Sequence, residues 1–182
     1  PLGVLLVIDA AYADYACHEE GYEDGAQLVS SGRCVMVRTF SKLYGLSGLR
    51  IGWGLMPPPV KEAIEKIRPP FNVNAIAQEM ALGALEDEAF YDDVRHKTIQ
   101  GRAYLYGEIG RLNGVRAYES YGNFLLLRFM DKAMAHAMYR YFSEHGVIVR
   151  PLEDYGLDDC VRVSVGCVDS QEAVLRLLRH RL

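Results

Sequence analysis

The chain has 182 residues, 50% of them hydrophobic and 24% charged, with a formal net charge of -4. That is the composition of one folded domain or two small ones, long enough to bury a core. No dense Lys/Arg block supports a nucleic-acid partner, and the longest apolar run, residues 4–8, is far too short to cross a bilayer as a helix.

Residues 4–8 run Val-Leu-Leu-Val-Ile into Asp9. This pattern predicts a parallel strand buried on both faces, with an acid at its carboxyl end. Residues 25–31 read as a short helix closed by Gly32, and residues 34–38 as a second buried strand leading into Thr39-Phe40-Ser41-Lys42. Residues 49–55 read as a third strand, with Gly48, Gly52 and Gly54 keeping the backbone slim, and Pro57-Pro58-Pro59 then breaks the chain. Helices are expected over 60–67, stopped by Pro69-Pro70, and over 75–85 and 91–112. The pattern then alternates. Strands are expected over 114–118, 123–129, 147–149 and 161–165, and helices over 132–145 and 170–182. The fold class expected is α/β, with residues 1–90 in one domain and 91–182 in a smaller α+β one. The chain opens at Pro1 and enters a strand almost at once, so it is expected to be part of a longer protein.

Cys17, Cys34, Cys160 and Cys167 form no CxxC pair, which points to a reducing, cytoplasmic compartment rather than a zinc site or disulfide framework. The five histidines lack metal-ligand spacing and are read as ordinary polar positions, so no metal is expected. Glu19-Glu20 with Glu23-Asp24 reads as a solvated acidic loop.

The densest chemical constellation is Thr39-Phe40-Ser41-Lys42 followed by Gly48-Leu49-Arg50-Ile51-Gly52. A lysine at a strand end, flanked by hydroxyls and glycine, suits an amine nucleophile that forms a Schiff base with an aldehyde. Only the neutral amine attacks, so desolvation or a nearby cation must favour it. Arg50, eight residues on, suits a phosphate clamp, and Ser41 adds a hydroxyl. Upstream, Asp9 stands at the end of the first strand, where open α/β sheets place ligands, and Tyr12 follows it. Read singly, each of these has a plainer role. Lys42 and Arg50 would be solvated residues around a glycine turn, Asp9 a cap and Tyr12 a core tyrosine.

In combination the motifs resemble the fold-type I pyridoxal-5′-phosphate (PLP) aminotransferases. The match is Asp-x-x-Tyr, then Thr-x-Ser-Lys about thirty residues later, then Gly-x-Arg-x-Gly. The segments Arg68-Pro69-Pro70-Phe71-Asn72-Val73-Asn74, Tyr121-Gly122-Asn123-Phe124-Leu125, Gly146-Val147-Ile148-Val149-Arg150 and Val161-Arg162-Val163-Ser164-Val165-Gly166 are most like the histidinol-phosphate aminotransferase family. The resemblance covers essentially the whole chain, in order.

That resemblance implies a fold and a set of roles. Residues 1–90 would be the C-terminal half of the large PLP-binding domain and 91–182 the small domain. Lys42 would hold PLP covalently and then shuttle a proton. Asp9 would pair with the pyridinium, Tyr12 would hydrogen-bond the ring oxygen, and Ser41 and Arg50 would bind the cofactor phosphate. Arg162 would receive the substrate carboxylate and Arg150 the phosphate of histidinol phosphate; read from its surroundings alone, Arg150 is equally a surface arginine. Asn123 reads as a structural turn residue. The implied reaction is amino transfer between histidinol phosphate and 2-oxoglutarate, in histidine biosynthesis, by a homodimer. Alternatives of the same fold are an aromatic or aspartate aminotransferase and a phosphothreonine decarboxylase; one of another class is a non-catalytic PLP-sensing module. The chain departs from many relatives at Ala10, where they carry Glu or His. The family's N-terminal half, which supplies the rest of the cofactor cradle, is not in this sequence.

Overall fold

A computed structural model of the chain describes residues 3–182. Its contacts divide it into two units, one running to Val94 and the other from Arg95 to Leu182. The division falls inside a single long helix.

The first unit is built on a three-stranded sheet. Strand β1 (Leu6–Asp9) pairs in parallel with β2 (Cys34–Thr39), in the register Leu6 to Cys34 and Asp9 to Val37. β2 in turn pairs antiparallel with β3 (Gly52–Leu55). The β1–β2 crossover carries the four-residue helix α1 (Ala13–Ala16) and a 3-10 turn, Ala26–Ser31, bounded by Gly25 and Gly32 in the left-handed conformation. At Gly25, φ is 79, which strains any L side chain, and a Cβ there would also displace Ile8 Cδ1, 2.2 Å away. Gly52 is bound by a different constraint: its Cβ would lie 2.6 Å from the Arg38 carbonyl oxygen, so the glycine lets β3 close on β2.

Two expectations about this unit change. The run 4–8 was expected to be buried on both faces, yet Val4 is 64% and Val7 60% exposed. β1 is the edge of its sheet, with β2 as its neighbour. Burial on both faces needs layers on both sides, and a continuous apolar run in sequence cannot supply them. Met36, in the central strand, is fully buried and packs with Ala10 and Ala13. The second change concerns the prolines. Pro58 opens helix α2 (Pro58–Ile67) rather than breaking the chain, because a first-turn residue needs no N–H donor. The helix does end before Pro69, with Arg68 already extended (ψ 140).

Helix α3 (Ala75–Glu86) is capped by Asn74, whose Oδ1 accepts from Ala77 N at 2.8 Å. Helix α4 (Glu88–Ile109) follows and carries the division between the units. The second unit adds strands β4 (Val115–Tyr118) and β5 (Phe124–Phe129), helix α5 (Lys132–Glu144), β6 (Arg150–Pro151), β7 (Cys160–Ser164) and helix α6 (Val168–Arg181). The sheet is antiparallel in the order β4-β5-β7-β6. Its core holds Leu105, Ile109, Leu125, Leu127, Met138, Phe142, Leu175 and Leu178, all essentially without exposure. Each such side chain contributes about 1.5–3 kcal/mol by leaving water, before the entropy of ordering is charged against it. Asp131 caps α5 by accepting from Met134 N at 2.8 Å, and Arg179 and Arg181 sit in the last turn of α6, where the helix dipole favours cations.

The strand expected over 147–149 is displaced to Arg150–Pro151. Val147 N donates back to Phe142 O at 2.9 Å, which closes the end of α5 and spends the donor that a ladder would need. The four cysteines are free thiols. Burial and the hydrogen bond to Asp159 push the Cys160 thiol up to about 11.

Candidate active site

In the first unit, the residues expected to act together gather at the carboxyl ends of β1 and β2. Asp9 ends β1, and its Oδ1 accepts from Ala11 N at 3.1 Å, which tightens the turn into α1. Ala10 N donates to Val37 O at 2.9 Å, so this turn is tied directly to β2. Tyr12 is half-buried at the start of α1. Beyond β2, Ser41 N donates to Thr39 Oγ1 at 3.0 Å and Gly45 N to Lys42 O at 3.0 Å, folding the chain into a tight turn. That turn brings Lys42 Nζ over the Tyr12 ring, 5.2 Å from its centroid. Lys42 itself is half-buried.

Arg50 follows the 3-10 turn Ser47–Leu49 in a left-handed conformation (φ 56) that costs a non-glycine residue backbone strain. The side chain is exposed and its Nη1 donates to Ser47 O at 2.7 Å, so within this chain it is held by its own turn.

In the second unit, Arg162 lies on β7 and Arg150 on β6, and the two are direct Cα partners across the antiparallel ladder. Cross-strand partners point to the same face. Val161 and Val163 are core residues, so Arg162, between them, faces away from the core, and Arg150 with it. Like charges opposed in this way repel. Each guanidinium has an aromatic ring to rest on: Arg162 lies 5.1 Å from the Phe124 centroid, and Arg150 lies 5.5 Å from that of Tyr155. Arg150 Nη2 also donates to the Tyr155 hydroxyl at 3.0 Å. Arg162 Nε is buried and makes no hydrogen bond among the described residues, a donor oriented but unused. Asn123 is backbone furniture here, its carbonyl accepting from Val165 N at 2.8 Å.

Sequence reasoning missed one cluster. Asp24, read as part of a solvated loop, is instead ion-paired with Arg38, and Arg38 Nη1 also donates to Asp14 Oδ1 at 3.0 Å. The Ala26 backbone N–H and then the Arg38 guanidinium hold the Asp24 carboxyl below the usual carboxylate range, against the opposing effect of burial. The available signal was an arginine inside an otherwise apolar strand, which demands a buried acid nearby. Tyr155 was missed too, because its role depends on a loop conformation that the sequence does not encode in any period.

The chain matches the family model described as aminotransferase class I and II over residues 2–180. It is 40% identical to a histidinol-phosphate aminotransferase of Granulibacter bethesdensis over 180 residues, which is 98% of this chain and 48% of that protein. Its fold superimposes on the crystal structure of histidinol-phosphate aminotransferase from Sinorhizobium meliloti in complex with pyridoxal-5′-phosphate with a TM-score of 0.83 at 28% identity, covering 97% of this chain and 49% of that one. It is also similar to L-threonine-O-3-phosphate decarboxylase from Porphyromonas gingivalis, with a TM-score of 0.81 at 26% identity, over 96% of this chain and 54% of that one. The chain thus spans about half the length of the relatives it matches. With a match that runs from end to end, this chain belongs to the aminotransferase class I and II family.

Proposed function

We propose that this chain is the C-terminal half of a PLP-dependent aminotransferase that moves an amino group between histidinol phosphate and 2-oxoglutarate. The observation that carries the reading is the Lys42 amine held against the Tyr12 ring, at the strand ends where Asp9 also stands. An amine, a carboxylate, a phenol and a hydroxyl on adjacent turns are the donor set that an anionic pyridine aldehyde requires, so the residues present fit the cofactor.

When bound, PLP supplies an electron sink for the pair left at the substrate Cα. Lys42 would anchor the cofactor and then, as a free amine, would take the proton from the substrate Cα and deliver it to the cofactor's C4′ carbon. Asp9 holds the proton on the pyridine nitrogen. Tyr12 donates its hydroxyl to the ring oxygen, and Ser41 and Arg50 bind the phosphate. The second unit supplies substrate recognition, with Arg162 for the carboxylate and Arg150 for the donor's phosphate. The whole enzyme is proposed to be a cytoplasmic homodimer, with the segment around Asn72 and Asn74 approaching the partner's cofactor. Its ligands are a small-molecule amino donor and a 2-oxo acid. Among the described residues, no helix is long and apolar enough to cross a membrane.

The direct test is borohydride reduction in the presence of PLP, followed by peptide mapping. A pyridoxyl group on Lys42 is the expected result; a label on any other lysine, or on none, would sink the cofactor reading.

Substrate choice is tested separately. Histidinol phosphate presents a phosphate and no carboxylate, whereas glutamate presents two carboxylates, and one pocket must accept both in turn. Two guanidinium groups on one sheet face suit that alternation. Arg162, which takes glutamate's carboxylate, would also meet the donor's phosphate beside its ladder partner Arg150, so Arg162→Ala should impair both half-reactions, and Arg150→Ala should impair the phosphorylated donor more than glutamate. Each lost charge-assisted contact should cost about 1.5–3 kcal/mol, roughly ten- to a hundredfold in specificity. Single-turnover absorbance of each half-reaction reads the difference. Equal losses for the two substrates in Arg150→Ala would remove the case for histidinol phosphate. The likeness to a phosphothreonine decarboxylase makes phosphothreonine the necessary third substrate in that panel.

A further inference from the structure

Arg38 interrupts β2, a strand otherwise apolar up to its final Thr39. Its guanidinium meets neighbours from separate segments. Nη1 donates to Asp14 Oδ1 on α1 at 3.0 Å, Nη2 donates to Asp24 in the segment before the 3-10 turn, and the group lies 5.5 Å from the centroid of Trp53 on β3. Trp53 is also its Cα partner across the ladder. The side chains of Arg38, Asp14 and Asp24 are only 17%, 11% and 19% exposed.

An ion cluster this dry is a poor source of stability. Stripping water from three charges offsets most of their attraction, and apolar side chains of the same volume often do as well. What a planar guanidinium fork adds is a fixed distance and angle between the segments it joins. Asp14 lies two residues after Tyr12, and Arg38 four before Lys42. One end of the Tyr12 turn is tied to β2 by Ala10 N and Val37 O, and the other end by Asp14 and Arg38. Between these two ties lies the ring that faces the Lys42 amine.

We propose that Arg38 is a positioning residue for Lys42: by gripping Asp14 and Asp24 it sets the Tyr12 turn where its ring covers and orients the amine. The proposal rests on the reading of Lys42 as the cofactor anchor. A loss of this grip leaves the strands paired and moves only the turn, so its signature is local to Lys42.

The experiment compares the unsubstituted chain with Arg38→Met and Asp14→Asn, at a temperature where circular dichroism shows each fully folded. Two rates are read at Lys42 by peptide mass spectrometry: reductive methylation with formaldehyde and cyanoborohydride, and borohydride trapping of added PLP. Lys61 and Lys66, exposed on α2, are internal standards. In both variants Lys42 methylation relative to those standards should rise roughly two- to fivefold as the ring cover is lost. Trapping at Lys42 should fall about tenfold as its orientation is lost. Trp53, the single tryptophan, should change its emission in Arg38→Met and so report that the grip has opened. Unchanged Lys42 rates alongside altered Trp53 emission would overturn the proposal. So would equal changes at all three lysines, or unfolding of both variants, since either makes the cluster a purely structural crosslink. If the unsubstituted chain takes no pyridoxyl group at Lys42, the cofactor reading fails instead, and the methylation ratios alone decide whether Arg38 positions the amine.

Discussion

Lys42→Ala is expected to abolish transamination by the complete enzyme while leaving its thermal unfolding nearly unchanged. The lysine is asked to do two things that alanine cannot: hold the cofactor covalently, and move the proton at Cα. Proton transfer by a positioned base is worth roughly 10²–10⁴-fold by itself, and loss of the covalent anchor adds to that. The stability side follows from the structure. Lys42 is half-buried on a turn, and its described partner is the face of the Tyr12 ring, an interaction worth about 0.5–1 kcal/mol at an exposed site. No core side chain loses its packing. The check is single-turnover absorbance of each half-reaction beside a thermal melt of both proteins. Residual turnover within about tenfold of the unsubstituted enzyme would remove Lys42 from the chemistry, on the scale expected for a general base.

Asp9→Asn is expected to reduce turnover far more than it reduces PLP retention. The amide preserves shape, and it can still accept from Ala11 N as the carboxylate does. What it cannot do is stabilise a protonated pyridine nitrogen, and without that proton the ring is a weaker sink. Breaking one such charge pair should cost about 2–5 kcal/mol of transition-state stabilisation, roughly thirty- to several-thousandfold in rate. On the proposed roles, retention would rest on Lys42, Ser41 and Arg50, which the substitution leaves in place. The measurement pairs kcat with the equilibrium for PLP release by dialysis. Near-normal turnover would show that Asp9 is not the ring partner; a matched loss of binding and rate would make it a binding residue instead.

The strands and helices of the second unit were legible in sequence because that unit buries its own core. Alternation over β7 is real burial: Val161 and Val163 face inward and Arg162 outward. The expected periods therefore matched the elements to within a few residues, except where Val147 turned back to close α5. In the first unit the order of elements was also legible, and so was the pairing of an acid with the carboxyl end of a parallel strand. The burial of that strand was not. Val4 to Val7 are as apolar as any core strand, but apolarity states a demand for cover and not whether this stretch of chain meets it.

The candidate site divides along the same line. Sequence alone determined which residue types were available and in what order: Asp9, Tyr12, Ser41, Lys42, Arg50, Arg150 and Arg162, at spacings that match the family motifs. It could do so because motif chemistry is carried by turns whose local geometry depends on a few adjacent residues, such as the Ser41 turn closed on Thr39. Only the tertiary structure decided which of these residues meet. The contact of Lys42 with Tyr12 depends on the register of β1 against β2, and the opposition of Arg150 to Arg162 on that of β6 against β7. A one-residue slip in either would turn a side chain to the other face while leaving composition, period and motif unchanged. The grip of Arg38 on Asp14 and Asp24 was invisible for the same reason: its partners lie 24 and 14 residues away in the chain, and only the sheet and the crossover bring them together.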